Sequence, residues 1–189
     1  MVLTAPPVFA AVEALRSEAD APVYVVFLSP QGRRFDTKCA RELAARPRVA
    51  LVCGRYEGVD ERARTARLFD EEISLGDFVL SGGEAAALAI LEAVSRYLPG
   101  VVQDAGSVSA DSFEDGLLDH PHYSRPRSFR GLEVPEVLVS GHHDEIRRWR
   151  REQQLLATLE RRPDLLREAA LDEDERALLE RLARGRRSP

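Results

Sequence analysis

Two uninterrupted apolar runs constrain this chain more than any other feature. They are Val23-Tyr24-Val25-Val26-Phe27 and Val49-Ala50-Leu51-Val52-Cys53. A strand without polar alternation is buried on both faces, the condition of a strand inside a parallel sheet. Each run ends in a turn rich in glycine or proline. The turns are Leu28-Ser29-Pro30-Gln31-Gly32 and Gly54-Arg55-Tyr56-Glu57-Gly58. A third, Ser74-Leu75-Gly76-Asp77-Phe78-Val79-Leu80-Ser81-Gly82-Gly83-Glu84, falls in a stretch, Glu72 to Leu80, that contains a third strand. Such turns let the backbone fold sharply and approach a ligand closely.

The segments between the runs read as helices. Val8 to Glu18 is apolar and small-residue rich, after Pro6-Pro7. Asp36 is placed to cap a helix over Thr37 to Ala45. Asp60 to Arg67 is polar and loop-like or briefly helical. Ser81-Gly82-Gly83-Glu84 has the S-x-x-E form of a capping box. The helix it opens runs from Glu84 to Tyr97, before Pro99-Gly100. Strand–helix alternation implies an α/β domain with a parallel sheet, which binds ligands beyond the carboxyl ends of its strands. The three turns lie there.

After residue 103 the composition changes. The expected organisation is a sheet domain over residues 1–103, a Gly/Ser/Ala/Asp-rich linker over 104–116, and a mainly helical domain over 117–189. The helices expected there are Asp144 to Leu159, Leu165 to Ala169 and Asp172 to Ala183, with Asp172 and Glu175 at capping positions.

Bulk properties narrow the function. With 189 residues and 44% hydrophobic content the core needs neither metal nor disulfide to hold it. Cys39 and Cys53 read as reduced core residues, since no CxxC pair exists. His120, His122, His142 and His143 read as loop or helix-start residues before they read as ligands. No apolar run spans a bilayer and the N-terminus lacks signal-peptide character, so the expected location is the cytoplasm. The net charge of −5 does not announce a nucleic-acid partner. Lys38 is the only lysine, so positive charge is nearly all arginine, which suits bidentate phosphate contacts. GxxxxGK[ST], GxGxxG after the first strand and GxSxG are all absent. That leaves P-loop, Rossmann and α/β-hydrolase sites unsupported.

The ordered strings LSPQG, CGRYEGVDER, SLGDFVLSGGE, VSRYLPGV, DSF, GLLDHPHYSRP, VPEVLVSGHH and EIRRWR resemble the bacterial tRNA (guanine-N1-)-methyltransferases, the TrmD family. The resemblance runs from Met1 to about Leu182. It implies a SPOUT-type parallel sheet with a deep trefoil knot, followed by a smaller mainly helical C-terminal domain. It also implies S-adenosylmethionine as methyl donor, tRNA as substrate, Mg2+ in catalysis, and a homodimer whose site draws on both copies. On this reading Asp111 is the base that takes the guanine N1 proton, and Arg96 stabilises the purine. The donor pocket comprises Leu28, Ser29, Pro30, Gly54, Tyr56, Glu57, Leu75, Gly76, Asp77, Phe78, Val79, Leu80, Gly82 and Gly83. Glu57 is the carboxylate placed nearest Mg2+.

Without the resemblance, Asp111 reads as a linker aspartate or cap. Arg96 reads as a solvated arginine at a helix end, and Glu57 as a carboxylate satisfied by strand-end amides. Arg147-Arg148-Trp149-Arg150-Arg151 reads as a solvated helix face or, in part, a phosphate-contacting one. His120 to Arg125 reads as a surface loop or a segment suited to splayed RNA bases. Arg184, Arg186 and Arg187 form a basic tail. Family members carry a strand, a helix and a GGG-x-GM turn before the segment that begins here, so the expectation is a form lacking that N-terminal part. The rival readings are a catalytically inactive RNA-binding fragment and a small nucleotide-binding regulator.

Overall fold

The computed structural model of the chain describes residues 1–102 and 110–185. Residues 104–109 of the expected linker therefore lie outside the described residues, as do Arg186 and Arg187 of the basic tail. The chain divides into two compact units, Met1–Gln103 and Asp104–Pro189.

The first unit is built on three parallel strands in the order β2-β1-β3. They are β1 (Tyr24–Arg34), β2 (Val49–Cys53) and β3 (Glu71–Ser74). Alternation along β1 sends Val25 and Phe27 to one face and Val26 and Leu28 to the other. Val25 and Phe27 pack with Val12 of α1 (Ala5–Glu18) and Ala63 of α3 (Arg62–Thr65). Val26 and Leu28 pack with Cys39 and Leu43 of α2 (Thr37–Ala44) and Ile90 of α4 (Glu84–Ser95). Both faces are thus covered by helices, which is why the β1 run carries no polar residue before Ser29.

Local chemistry sets the helix ends, with three departures from expectation. Helix α1 starts at Ala5 and takes both prolines into its first turn, where a missing N–H costs nothing. Asp36 caps α2 as expected, its carboxylate accepting from Cys39 N at 2.7 Å. Ser81 does not cap α4; the N-cap is Gly83, with no side-chain bond, and Glu84 instead pairs with Arg55 at 3.0 Å. Helix α4 ends at Ser95 rather than Tyr97.

The largest departure is in β1 itself. The first turn does not end the strand but interrupts it. Leu28 and Arg33 are both in register with Ile73 of β3, so residues 29–32 leave the ladder and return to the same rung. Phe35 N then donates to Ser74 O at 2.8 Å. Gly32 makes the return possible, because a Cβ there would collide with the backbone of Glu72 and Ile73.

The second unit contains a short hairpin, β4 (Ser128–Phe129) with β5 (Leu132–Glu133), and helices α5 (His143–Arg161) and α6 (Glu173–Gly185). Its buried centre includes Leu117, Leu155 and Thr158, each at most 1% exposed. The Thr158 hydroxyl donates to Gln154 O and accepts from Leu118 N at 2.9 Å, fastening residues 117–118 to α5. Asp172 and Glu175 form the expected reciprocal box: Glu175 N donates to Asp172 Oδ1 at 2.8 Å and Asp172 N to Glu175 Oε2 at 3.1 Å.

Gly32→Ala should destabilise the protein by roughly 2 kcal/mol or more, since backbone has to move; an unchanged thermal midpoint would show that the strand tolerates a Cβ there. Burial pushes the Cys39 thiol up to about 11, against the opposing pull of Arg33, and raises Cys53 as well. Native protein should therefore alkylate slowly at neutral pH and faster only as the pH approaches that range, whereas denatured protein should react at once.

Candidate functional site

The three turns meet around one cavity of about 340 Å³, beyond the carboxyl ends of the strands. The first contributes residues 28–31, the second residues 54–59, and the third residues 74–76 and 78–83. A volume in this range suits a drug-sized ligand.

Hydrogen bonds between the turns fix its shape. Gly83 N donates to Gly54 O at 2.9 Å, and Arg55 and Gly82 form an antiparallel bridge. The two turns can be this close because position 83 has no side chain; a Cβ would sit 2.8 Å from Cys53 Cα. Within the third turn, the buried Ser74 hydroxyl donates to Gly76 O at 3.1 Å and accepts from Gly76 N at 3.2 Å. Gly76 holds φ at 156°. The second turn is braced from outside by the start of the chain: Leu3 N donates to Gly58 O and Asp60 N to Leu3 O, both at 2.9 Å. Tyr56 sits in this turn at φ 61°, a conformation that costs a side-chain-bearing residue about 1–2 kcal/mol. The residue is 61% exposed.

Arg64 organises the floor of the cavity. Its guanidinium lies 5.2 Å over the Phe27 ring and bonds Glu72 Oε1 and Glu61 Oε2, both at 2.8 Å. It also reaches Ser29 Oγ at 3.4 Å. Beneath it, the second oxygen of Glu72 is buried without a hydrogen-bond partner. Arg64, which lines the cavity, is thus the counter-ion of Glu72, which does not. Nothing in its sequence context marks it, because it stands in a polar stretch without a motif. Phe27, Gln31 and Ser81 also line the cavity, although they are not among the donor-pocket candidates.

The structure brings together all the donor-pocket candidates except Asp77: Leu28, Ser29, Pro30, Gly54, Tyr56, Glu57, Leu75, Gly76, Phe78, Val79, Leu80, Gly82 and Gly83 line the cavity. Asp77 is exposed and does not line it. Arg96 caps the C-terminus of α4 and is exposed; it is not a lining residue. Asp111 belongs to the second unit and is half-buried, its carbonyl accepting from Glu114 N at 3.3 Å. The following Phe113 adopts φ 77°, its N–H donating to Leu117 O at 2.7 Å.

Glu57 is exposed at the cavity rim. It belongs to no set of three potential metal ligands among the described residues. A lone rim carboxylate does not make a magnesium cage, which uses carboxylates together with substrate phosphates and water. The set of three that the described residues do contain is Asp119, His120 and His122, in the second unit.

The arginine run of α5 separates into two kinds. Arg147 pairs with Asp144, and Arg151 pairs with Asp115 and, at 2.5 Å, with Glu175 of α6. Arg151 thus joins α5 to Asp115 and to α6, whereas the exposed Arg147 pair stays within α5. Arg148 and Arg150 are exposed, and Trp149 is half-buried with its ring 6.4 Å from that of Tyr123. Among the described residues, no helix is long and apolar enough to cross a membrane.

The family described as tRNA (Guanine-1)-methyltransferase TrmD matches residues 1–168. A tRNA (guanine-N(1)-)-methyltransferase of Hahella chejuensis is 54% identical over 185 residues, covering 98% of this chain and 71% of the relative. The protein of the same name from Pelotomaculum thermopropionicum is 51% identical, covering 96% and 72%. That from Moorella thermoacetica is 53% identical, covering 100% and 76%. The chain thus spans about seven-tenths of the length of these relatives. With its cavity of three glycine turns at the edge of a parallel sheet, the chain belongs to the TrmD family of tRNA (guanine-1)-methyltransferases.

Proposed function

We propose that this chain transfers a methyl group from S-adenosylmethionine to N1 of the tRNA guanosine immediately 3′ of the anticodon. The observation that carries the reading is the convergence of three turns, in a member of this family, on one backbone-lined cavity. Peptide amides and carbonyls that cannot find ladder partners are suited to read an adenine edge. The absence of a Cβ at Gly83 keeps that backbone accessible.

When bound, the donor supplies an electrophilic methyl on a positively charged sulfur. The chain's residues handle the other half of the reaction. Guanine N1 bears a proton at neutral pH, so its lone pair is not free. In this reading the Asp111 carboxylate accepts that proton as the N1–methyl bond forms and the sulfur–methyl bond breaks. The Arg96 guanidinium offsets negative charge developing at O6. Arg64 and Ser29 hold the first turn in place, so the cavity is formed before the donor arrives. Glu57 contributes from the rim, and no step runs through Mg2+. The domain is knotted, works in the cytoplasm and pairs with a second copy that shares the site. Exposed apolar residues of the cavity lining, Phe78, Val79 and Leu80, support that pairing. The helical unit docks tRNA through Arg148, Arg150 and the segment from His120 to Arg125.

The direct test is transfer of labelled methyl to tRNA transcripts bearing guanine or adenine just 3′ of the anticodon. Label on the guanine transcript alone is expected. Donor binding by calorimetry without transfer would identify an inactive RNA-binding chain instead. Asp111→Asn should lower transfer by about 10²–10⁴-fold with donor affinity nearly unchanged; loss of donor binding in that variant would remove Asp111 from the role of base. Tyr56→Ala should weaken donor binding by about tenfold, the worth of one aromatic contact; unchanged affinity would take Tyr56 out of the pocket.

A further inference from the structure

We propose that Asp119, His120 and His122 form a binding site for a divalent transition-metal ion of the zinc class. The site lies in the helical unit, its residues are none of those that line the cavity, and the inference does not rest on the methyl-transfer reading. Three observations carry it.

The first is the donor set. One atom from each residue can be chosen so that all three lie within 4.8 Å of one another. His122 Nε2 is 2.7 Å from Asp119 Oδ2, and His120 Nε2 is 3.8 Å from Asp119 Oδ1. Ligands around a tetrahedral ion with bonds near 2.0–2.2 Å stand about 3.3–3.5 Å apart. The two distances, taken to the two different oxygens of Asp119, lie on either side of that spacing, so the three side chains already stand near the separation an ion requires. Two imidazoles and one carboxylate favour zinc, cobalt or nickel over magnesium, which prefers an all-oxygen shell.

The second is the state of the His120 ring. Its Nδ1 lies 3.2 Å from the carbonyl oxygen of Pro121. When Nδ1 donates to that carbonyl, Nε2 is the ring nitrogen left for an ion, and it stands 3.8 Å from Asp119 Oδ1. Fixing one imidazole nitrogen to a backbone carbonyl is also how metal-ligating histidines are oriented.

The third is support and access. The Asp119 side chain is 18% exposed and that of His120 11%. Asp119 N donates to Ser112 Oγ at 2.9 Å, and its Oδ1 accepts from His120 N at 2.6 Å. Two of the ligands are therefore already held. His122 is 71% exposed and leaves an entry path, with a fourth position open to water.

The test uses the full chain, freed of metal with a chelator. Zn2+ is titrated by calorimetry and Co2+ by visible absorption, each in the presence of millimolar Mg2+. One Zn2+ per chain, undisturbed by Mg2+, is expected, with Co2+ bands indicating nitrogen and oxygen ligands. His120→Ala and His122→Ala should each weaken Zn2+ by roughly tenfold or more. The pair His142→Ala with His143→Ala should change nothing. His122 is exposed, so its variant should keep the parent's circular dichroism and melting curve, which separates loss of a ligand from loss of fold. Absence of Zn2+ binding, binding unchanged in His122→Ala, or binding abolished by the His142/His143 pair would each overturn the site.

Discussion

The first unit depends on β1 leaving its neighbour and coming back. A strand that pairs with Ile73 twice, once through Leu28 and once through Arg33, has to carry four residues out of the sheet in between. Those residues form the first wall of the cavity. The two flanking pairings hold them as a loop anchored at both ends. The sheet therefore does more than present loops at its edge: one wall of the site is an interruption of its central strand. The second and third walls are then locked to each other by the bond from Gly83 to Gly54 and are tied to this frame through β2 and β3.

Electrostatics finishes what the backbone begins. Arg64 touches Phe27 and Ser29 of β1, Glu72 of β3 and Glu61 beside its own short helix. The arginine and Glu72 side chains are each about a fifth to a quarter exposed. They are therefore only partly screened, and removing one would leave the other's charge poorly satisfied. A rigid floor of this kind lowers the ordering cost of ligand binding, which otherwise comes out of affinity. The helical unit repeats the device: Arg151 joins Asp115 of the loop segment to Glu175 of α6.

Much of this could be read before the structure was known, and what could not has physical causes. The runs over Val23–Phe27 and Val49–Cys53 announced buried parallel strands because periodicity is a property of burial. Asp36 announced its helix because a carboxylate at an N-cap acts through the nearest amides alone. The ordered strings announced the family. The excursion of β1 was not readable, since a Ser-Pro-Gln-Gly turn looks the same whether the strand ends or resumes. Ser81 has the form of a cap, but Gly83, lying against Cys53, takes the N-cap position of a helix that starts at Glu84 as the sequence implies; tertiary contact overrides the local capping pattern. Arg64 was invisible because its significance comes from Glu72, eight residues away and on another element. The pocket residues fell together because their turns follow adjacent strands. Asp111 and Arg96 received their roles from family resemblance, and no pattern in their own neighbourhoods would have assigned them.

At Gly32 the obstruction to a side chain is main chain on both counts, the carbonyl carbon of Glu72 and the amide nitrogen of Ile73. That distinguishes it from a crowded core position. An overpacked core site can be rescued by trimming the neighbour that clashes, so such lesions have second-site suppressors. No substitution at residue 72 or 73 removes a backbone atom. A lesion at Gly32 would have to be reverted in place or relieved by changing the length of the excursion. Selections for restored function in a Gly32 variant should therefore yield true revertants and insertions or deletions within residues 29–32, in preference to compensating side chains elsewhere.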